Sequence, residues 1–135
     1  MKVSLSEALG QLPVAPTEAW PDGAPFVAMM TGGTMTLEVF APGQSCTDED
    51  LQTAHTQDEL YLVQAGRGEI LIRDQRFKAA RGGAFFVPAG VKPHFENFSR
   101  DFVTWVVFYG PQGGEQHAVP PALPLHTDET QLSLT

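Results

Sequence analysis

The stretch from His55 to Gly68, HTQDELYLVQAGRG, constrains the fold more than any other part of the chain. From Glu59 onward its side chains alternate between the two faces of an extended strand, and the alternation stops where Gly66 allows a turn. The segment that follows, EILIRD, reads as a second strand running back along the first. The pattern predicts a β-hairpin with three polar groups at its mouth: His55, Asp58 and Glu59.

The composition favours a single all-β domain. A chain of 135 residues can bury a core without disulfides or a structural metal, and it is too short for a second domain to be expected. Its 13 glycines and 11 prolines punctuate short apolar runs, which is typical of β-sandwiches and barrels. One short helix is predicted at Ser4–Gly10, SLSEALG, where a serine cap precedes a glutamate at capping-box spacing.

The chain divides into three segments within that one domain. Residues 1–25 hold the helix and a proline-rich arm, which cannot join a strand ladder and brings Trp20 onto the body as an anchor. Residues 26–110 form the barrel, whose first hairpin turns at Thr31–Gly33. Residues 111–135 are expected to form a tail on the surface or on a partner subunit.

The charge and the cysteine content restrict the partners and the compartment. A formal net charge of -8 with only eight Lys and Arg argues against nucleic acid, because binding phosphates requires clustered cations. The chain has no basic amphipathic helix and no run of about 20 apolar residues, so we expect no membrane partner. Cys46 is the single cysteine, and the amino terminus lacks the apolar core of a secretory signal, which predicts a cytoplasmic protein.

Three residues could chelate a metal ion. His55 and Glu59 stand at the start of one predicted strand, and His94 stands at the start of another. Two imidazoles and a carboxylate are donors that iron, manganese, nickel and zinc accept, and three protein ligands leave positions open for water or substrate. Spacing alone is a weak signal, since a lone histidine at a strand end is more often a hydrogen-bonded structural residue.

Two motifs resemble those of the cupin superfamily of small β-barrels. The first, HTQDELYLVQAG, has a histidine, a glutamate and a downstream glycine, and the second, GGAFFVPAGVKPHFEN, has a Pro-x-Gly, a histidine and an asparagine. The matching residues are His55, Glu59, Gly66, Gly82, Pro88, Gly90, His94 and Asn97. The resemblance covers roughly residues 34–109 and implies a cupin-type double-stranded β-helix, a jelly-roll barrel, with a divalent metal ion inside it.

The first motif differs from the family pattern at one histidine. If His55 is the second histidine of the motif, Thr53 takes the place of the first, and a hydroxyl substitutes poorly for an imidazole. If His55 is the first, Gln57 takes the place of the second and can donate an amide oxygen. The resemblance therefore implies a metal set of His55, Glu59 and His94, with Gln57 as a fourth candidate.

The second motif places His94 one residue later than the family does. Three residues separate it from Gly90, so strict alternation puts His94 on the face opposite Phe95 and Asn97. A bulge or loop around Pro93 would turn the side chain of His94 back to the same face as Phe95 and Asn97.

The remaining polar and aromatic residues have mainly structural interpretations. Asp58 is expected to point away from Glu59 and to bind backbone or Arg67. No site role is expected for the tail histidines, the lone thiol or the acidic run of the polar loop, which are His117, His126, Cys46, Asp48, Glu49 and Asp50. Four aromatic residues are expected to line the barrel: Tyr61, Phe86, Trp105 and Phe108.

Three functions suit this barrel. The first is a metal-dependent enzyme acting on a small organic molecule by dioxygen activation, isomerisation or hydrolysis. The second is a non-catalytic module that binds a small ligand in the same cavity, with a structural metal or none. The third is a purely structural assembly protein. The resemblance also implies a homodimer formed through edge strands and the arm that carries Trp20.

Overall fold

A computed structural model of the chain describes residues 1–44 and 54–115. A helix α1 (Leu5–Leu9) precedes eight strands: β1 (Phe26–Gly32), β2 (Met35–Phe40), β3 (Asp58–Ala65), β4 (Arg67–Ile72), β5 (Gln75–Ala80), β6 (Ala84–Val87), β7 (His94–Glu96) and β8 (Val103–Tyr109). A short 3-10 turn, Pro42–Gln44, follows β2. No helix in the described ranges is long and apolar enough to cross a membrane.

The strands form two antiparallel sheets. One sheet has five strands in the order β1-β2-β8-β3-β6, and the other has three in the order β5-β4-β7. Two antiparallel sheets with crossover connections and a single short helix are the architecture of a jelly roll. The all-β, cupin-type fold predicted from the sequence is therefore confirmed.

The core lies between the two sheets. Side chains that alternate inward from both sheets fill it, and aromatic rings contact one another across it, as Phe95 does with Phe40 at 5.0 Å and with Tyr61 at 5.3 Å between ring centroids. The buried members are Phe40, Tyr61, Val63, Ile70, Ala79, Val87, Phe95, Phe102, Val106 and Phe108. Burying this many large apolar groups supplies the main driving force for folding.

The outer face of the five-stranded sheet is covered at one end by the amino-terminal segment. Ser4 and Glu7 form the predicted capping box of α1, in which each side chain accepts a hydrogen bond from the other residue's backbone N–H. Ala8 of the helix is fully buried in a second cluster with Val39 and Val103. The ring of Trp20 meets the first strand edge-on, 5.3 Å from the ring of Phe26, as expected of an anchor.

The predicted hairpin around Gly66 is wrong. Strand β3 pairs with β6 and β8, whereas β4 pairs with β5 and β7, so the two strands lie in different sheets. Gly66 has a φ of 75°, and a Cβ there would lie 2.6 Å from the backbone of Phe102. Glycine is needed at this position because it makes a sharp corner from one sheet to the other. The hairpin of β1 and β2 is confirmed.

Candidate functional site

The inner face of β3 carries a buried carboxylate and a tyrosine. Glu59 is fully buried and lies between Phe108 of β8 and Val87 of β6 in the register of the sheet. Two residues along the strand, the hydroxyl of Tyr61 donates a hydrogen bond of 2.8 Å to Oε1 of Glu59. This bond fixes one oxygen of the carboxylate and leaves the other to face His55.

His55 lies just before β3, above this carboxylate. Its Nδ1 is 3.2 Å from Oε2 of Glu59, an ion pair at the limit of hydrogen-bond geometry. The imidazole rests on the ring of Phe108, with 4.6 Å between centroids, and the backbone N–H of Gly90 donates to the carbonyl of His55 at 2.7 Å. The contact with Glu59 raises the pKa of His55 above its ordinary 6.5, although burial acts in the opposite direction.

Glu38 is a third ionisable residue of this region, and its place in the site was not predicted from the sequence. It lies on β2 opposite Val106, two residues before the core residue Phe40, and it is 9% exposed. Burial raises the pKa of Glu38 from 4.5 to about 7, His55 lowers it by attraction, and Glu59 raises it by repulsion. The signal was available, because a glutamate in phase with Phe40 on a strand must face the same side as that aromatic ring.

These three residues, Glu38, His55 and Glu59, are called the inner cluster below. Among the described residues, Nδ1 of His55 and Oε2 of Glu59 are buried and contact only each other, outside ideal hydrogen-bond geometry, and the hydroxyl of Thr104 further along β8 is buried without a hydrogen-bond partner. Buried polar atoms in native proteins normally have partners, often water or a bound ligand. The inner cluster therefore has the capacity to bind one more polar group.

Asp58 has a structural role, as expected. Its Oδ1 accepts a hydrogen bond of 3.0 Å from the backbone N–H of Ala89, and its Oδ2 accepts one of 3.2 Å from that of Glu115. These bonds join the start of β3 to the loop after β6 and to the segment after β8. Asp58 thus holds in place the loops around His55.

His94 lies on the outer face of the three-stranded sheet. Its neighbour Phe95 is buried in the core, so alternation turns His94 and Glu96 outward, where Nε2 of His94 is 3.2 Å from Oε2 of Glu96. Pro93 is itself buried, and no bulge corrects the extra residue of the second motif. The structure therefore does not bring His94 to His55 and Glu59.

Gln57 ties strand ends together. Its amide nitrogen donates to the carbonyl of Thr34 at 2.8 Å and to that of Gly110 at 2.9 Å. These bonds connect the turn between β1 and β2 with the end of β8. Thr53, the other position at which the first motif departs from the pattern, lies outside the described residues.

Comparison with known proteins agrees with the motifs. Residues 36–109 match the family model described as "Cupin domain". The chain belongs to the cupin family. An uncharacterized protein of Streptomyces coelicolor is 35% identical to this cupin over 91 residues, which are 67% of this chain and 84% of the relative.

Solved structures agree with the cupin fold. A Cupin 2 conserved barrel domain protein from Salinispora arenicola has a TM-score of 0.51 and 18% identity, covering 66% of this chain and 77% of the other. A protein of unknown function from Rhizobium leguminosarum has a TM-score of 0.54 and 18% identity, covering 82% of this chain and 97% of the other. At this level of identity, the likeness concerns the fold alone.

The described residues of this cupin do not provide the three-ligand metal set that the resemblance implied. Among residues 1–44 and 54–115, no three His, Cys, Asp or Glu side chains form a group that could hold a metal ion. His55 and Glu59 come together, but His94 and the amide nitrogen of Gln57 are engaged elsewhere. The residues expected to have no site role, His117, His126, Cys46, Asp48, Glu49 and Asp50, lie outside the described ranges.

Two of the four aromatic residues predicted to line the barrel do so. Tyr61 and Phe108 are buried in the core and border the inner cluster. The prediction is wrong for Trp105, which packs with α1 on the outer face, and for Phe86, which is 41% exposed. Both lie one residue out of phase with the inward positions of their strands, Val106 and Phe85.

Proposed function

We propose that this cupin binds a small polar organic molecule at the inner cluster and moves a proton on it. The observation that carries the proposal is the collection of two carboxylates and an imidazole on the inward face of an apolar barrel. Apolar side chains at these positions would make the folded protein more stable, because burying ionisable groups costs free energy. Such groups are often retained where they act on a ligand.

The residues of the inner cluster suit different tasks in proton transfer. A carboxyl group whose pKa is about 7, as burial makes that of Glu38, can both accept and donate a proton at neutral pH. Glu59 raises the pKa of His55, which favours the charged imidazole, and a charged imidazole can polarise a carbonyl oxygen. Tyr61 positions Glu59 through its hydrogen bond.

The reaction class that needs only these groups is a proton-shift isomerisation. Glu38 takes a proton from a carbon next to a carbonyl, the electron pair moves onto the carbonyl oxygen, and His55 protonates that oxygen to give an enol. In a hydroxyaldehyde or hydroxyketone, His55 then takes the proton of the neighbouring hydroxyl, and Glu38 returns its proton to the former carbonyl carbon. The protons and electrons of this reaction balance without an oxidant, a reductant or a second substrate. Small hydroxyaldehydes, hydroxyketones and keto acids have the required carbonyl.

Hydrogen–deuterium exchange tests this proposal. The protein is incubated in D₂O with a panel of such compounds, and the loss of C–H signal is followed by NMR. We expect exchange of at least one compound by the wild type, with a decrease of roughly 100-fold in Glu38→Gln, the size typical of a lost general base. The matched control Glu96→Gln changes a glutamate on the outer face and should exchange like the wild type.

Three results would decide against proton transfer. Equal exchange rates in the wild type and in Glu38→Gln for every compound would contradict it. Saturable binding of a panel compound without exchange would instead support the alternative, a non-catalytic small-ligand-binding module. The absence of both binding and exchange would leave the structural assembly protein as the better hypothesis.

A second candidate function, metal binding, is favoured by the facing atoms of His55 and Glu59. An imidazole nitrogen and a carboxylate oxygen 3.2 Å apart, neither with a hydrogen-bond partner in the described structure, are donors that Fe, Mn, Ni or Zn accept. A bound divalent ion would supply Lewis-acid chemistry to a substrate carbonyl.

Metal analysis of protein purified without chelator or histidine tag tests the second candidate. Stoichiometric metal that is lost in His55→Ala and kept in His94→Ala would support it. Less than about a tenth of an equivalent in the wild type would contradict it. Loss in His94→Ala as well would favour the three-ligand set implied by the family resemblance.

A homodimer remains our prediction for the assembly of the chain. Edge strand β1 and the arm that carries Trp20 are the surfaces we propose for it. Light scattering coupled to size exclusion tests the prediction, and a monomer over the accessible concentration range would contradict it.

A further inference from the structure

A groove separates the edge strands of the two sheets. Strand β6 ends the five-stranded sheet and β5 ends the three-stranded sheet, and the described strands β5 and β6 do not pair with each other. The groove between them has a volume of about 900 Å³. Small-molecule sites in proteins have volumes of roughly 300–1,000 Å³, so this groove can hold a ligand of ordinary size.

Aromatic rings form the walls of the groove. Phe77 and Phe86 line it and are 37% and 41% exposed, which is unusual for side chains of this size. Phe85 also lines it, with its ring centroid 5.9 Å from that of Phe77. Partly exposed aromatic rings gathered around a cavity are typical of a ligand-binding surface.

The rim of the groove is positively charged. Lys78 and Arg81 line it, and no aspartate or glutamate of residues 1–44 and 54–115 does. This is notable in a chain that has 16 acidic residues and only eight Lys and Arg. Neither cation makes a salt bridge or a side-chain hydrogen bond within the described structure, whereas Arg76 of the same strand binds Glu69 and Glu96, both at 2.7 Å.

A rigid turn places Arg81 at the rim. The N–H of Gly83 donates to the carbonyl of Ala80 at 2.9 Å, and Gly82 has a φ of 90°, the conformation that the third position of a type II turn needs. Val63 of β3 exchanges backbone hydrogen bonds with both glycines. Because the turn is tied to the sheet, little order must be created when a ligand meets Arg81.

From these observations we propose that the groove is a second binding site, separate from the inner cluster, for a small organic anion with an aromatic or other apolar body. The phenylalanine rings would contact the body, and Lys78 and Arg81 would bind a carboxylate, sulfonate or phosphate group. None of Glu38, His55 and Glu59 lines the groove, so this proposal does not depend on the function proposed for them.

Two fluorescent probes with nearly the same aromatic body test the site. Anilinonaphthalene sulfonate carries the anionic group, and N-phenylnaphthylamine lacks it. We expect saturable binding of the sulfonate to the folded wild type. The double variant Lys78→Gln/Arg81→Gln should weaken it by about fivefold or more, and should change the affinity for the neutral probe by less than about twofold.

Matched variants locate the binding. Lys92→Gln removes an exposed cation that does not line the groove, and His55→Ala removes a member of the inner cluster. Both should bind the sulfonate like the wild type, with thermal midpoints that show every variant to be folded. Amide chemical-shift changes on adding the sulfonate should centre on residues 77–86.

Several outcomes would overturn the proposal. These are absence of saturable sulfonate binding to the wild type, unchanged affinity in the double variant, equal weakening of both probes by that variant, and shift changes that centre elsewhere. Binding lost in His55→Ala but kept in the double variant would assign the probe to the inner cluster and would equally overturn it.

Discussion

Two histidine–glutamate pairs of the protein have the same separation but differ in the burial of the glutamate. In each, a ring nitrogen lies 3.2 Å from a carboxylate oxygen. In the inner pair the side chain of Glu59 is fully buried and that of His55 is 37% exposed, whereas in the outer pair those of His94 and Glu96 are 43% and 34% exposed. The same contact has different consequences because the interior neither screens nor solvates the charges.

The neighbours of each pair enlarge this difference. Inside, a further carboxylate, Glu38, is buried near the pair, and its pKa is raised to about 7 mainly by burial. Outside, Arg76 contacts both Glu96 and Glu69, and the pKa of Glu96 is lowered, chiefly by that arginine. The raised pKa of Glu38 predicts proton exchange in the inner cluster near neutral pH, whereas the lowered pKa values of Glu69 and Glu96 favour their charged forms.

The largest expected effect that tests this comparison is a gain in stability from Glu38→Gln at alkaline pH. Glu38 binds its proton more tightly in the folded chain, with a pKa of about 7, than at its ordinary 4.5. Its contribution is therefore most favourable below pH 4.5 and is lost as the pH rises through about 7. At pH 8 the variant should exceed the wild type by roughly 3 kcal/mol in free energy of unfolding.

Urea unfolding from pH 4.5 to pH 8 measures this effect. The gap between Glu38→Gln and the wild type should widen across that range. His55 also loses a stabilising contribution as the pH rises through its raised pKa, but it does so in both proteins. The matched control Glu96→Gln should show no such widening, and a constant gap for Glu38→Gln would contradict a raised pKa.

A smaller effect is expected from Tyr61→Phe. This change keeps the ring in the core and removes the hydrogen bond to the buried carboxylate of Glu59. A lost hydrogen bond to a buried charged group costs about 2 kcal/mol, which denaturant unfolding resolves easily. Tyr109→Phe, on the outward side of β8, is the control, and equal losses in the two variants would show that burial of the partner does not matter.

The smallest effect is expected from Glu96→Gln in the outer pair. Water and Arg76 already surround this carboxylate, so its removal should hardly change the thermal midpoint. Any change should vanish in about 1 M salt, where exposed charges are screened within roughly 3 Å. A salt-resistant loss as large as that of Tyr61→Phe would mean that the outer network is shielded from solvent.

Local alternation allowed much of the fold to be predicted. The phase of β3 separates inward Tyr61 and Val63 from outward Leu62, and the phase of β2 puts Glu38 with Phe40. Both follow from a period of two residues, which depends only on neighbours in sequence. His55 and Glu59 were found for the same reason, since their separation is local.

The sequence-based predictions that failed concern features that depend on contacts between distant segments of the chain. Whether Gly66 closes a hairpin or turns a corner is decided by Phe102, whose backbone leaves no room for a Cβ. His94 faces outward because its neighbour Phe95 is buried in the core on the inner face. Glu38 was overlooked because its partners come from a distant part of the chain: Glu59 lies on β3, and His55 lies just before that strand.

The position of β8 between β2 and β3 has a consequence for how the molecule is made. Glu38 and Glu59 lie on opposite sides of this strand, which pairs Thr36 with Phe108, two residues far apart in the chain. Long-range pairings of this kind close late because they carry a large loop entropy. We therefore expect the two carboxylates to stay apart and hydrated during synthesis until β8, the last of the described strands, has emerged. The chain can collapse elsewhere before it must bury them.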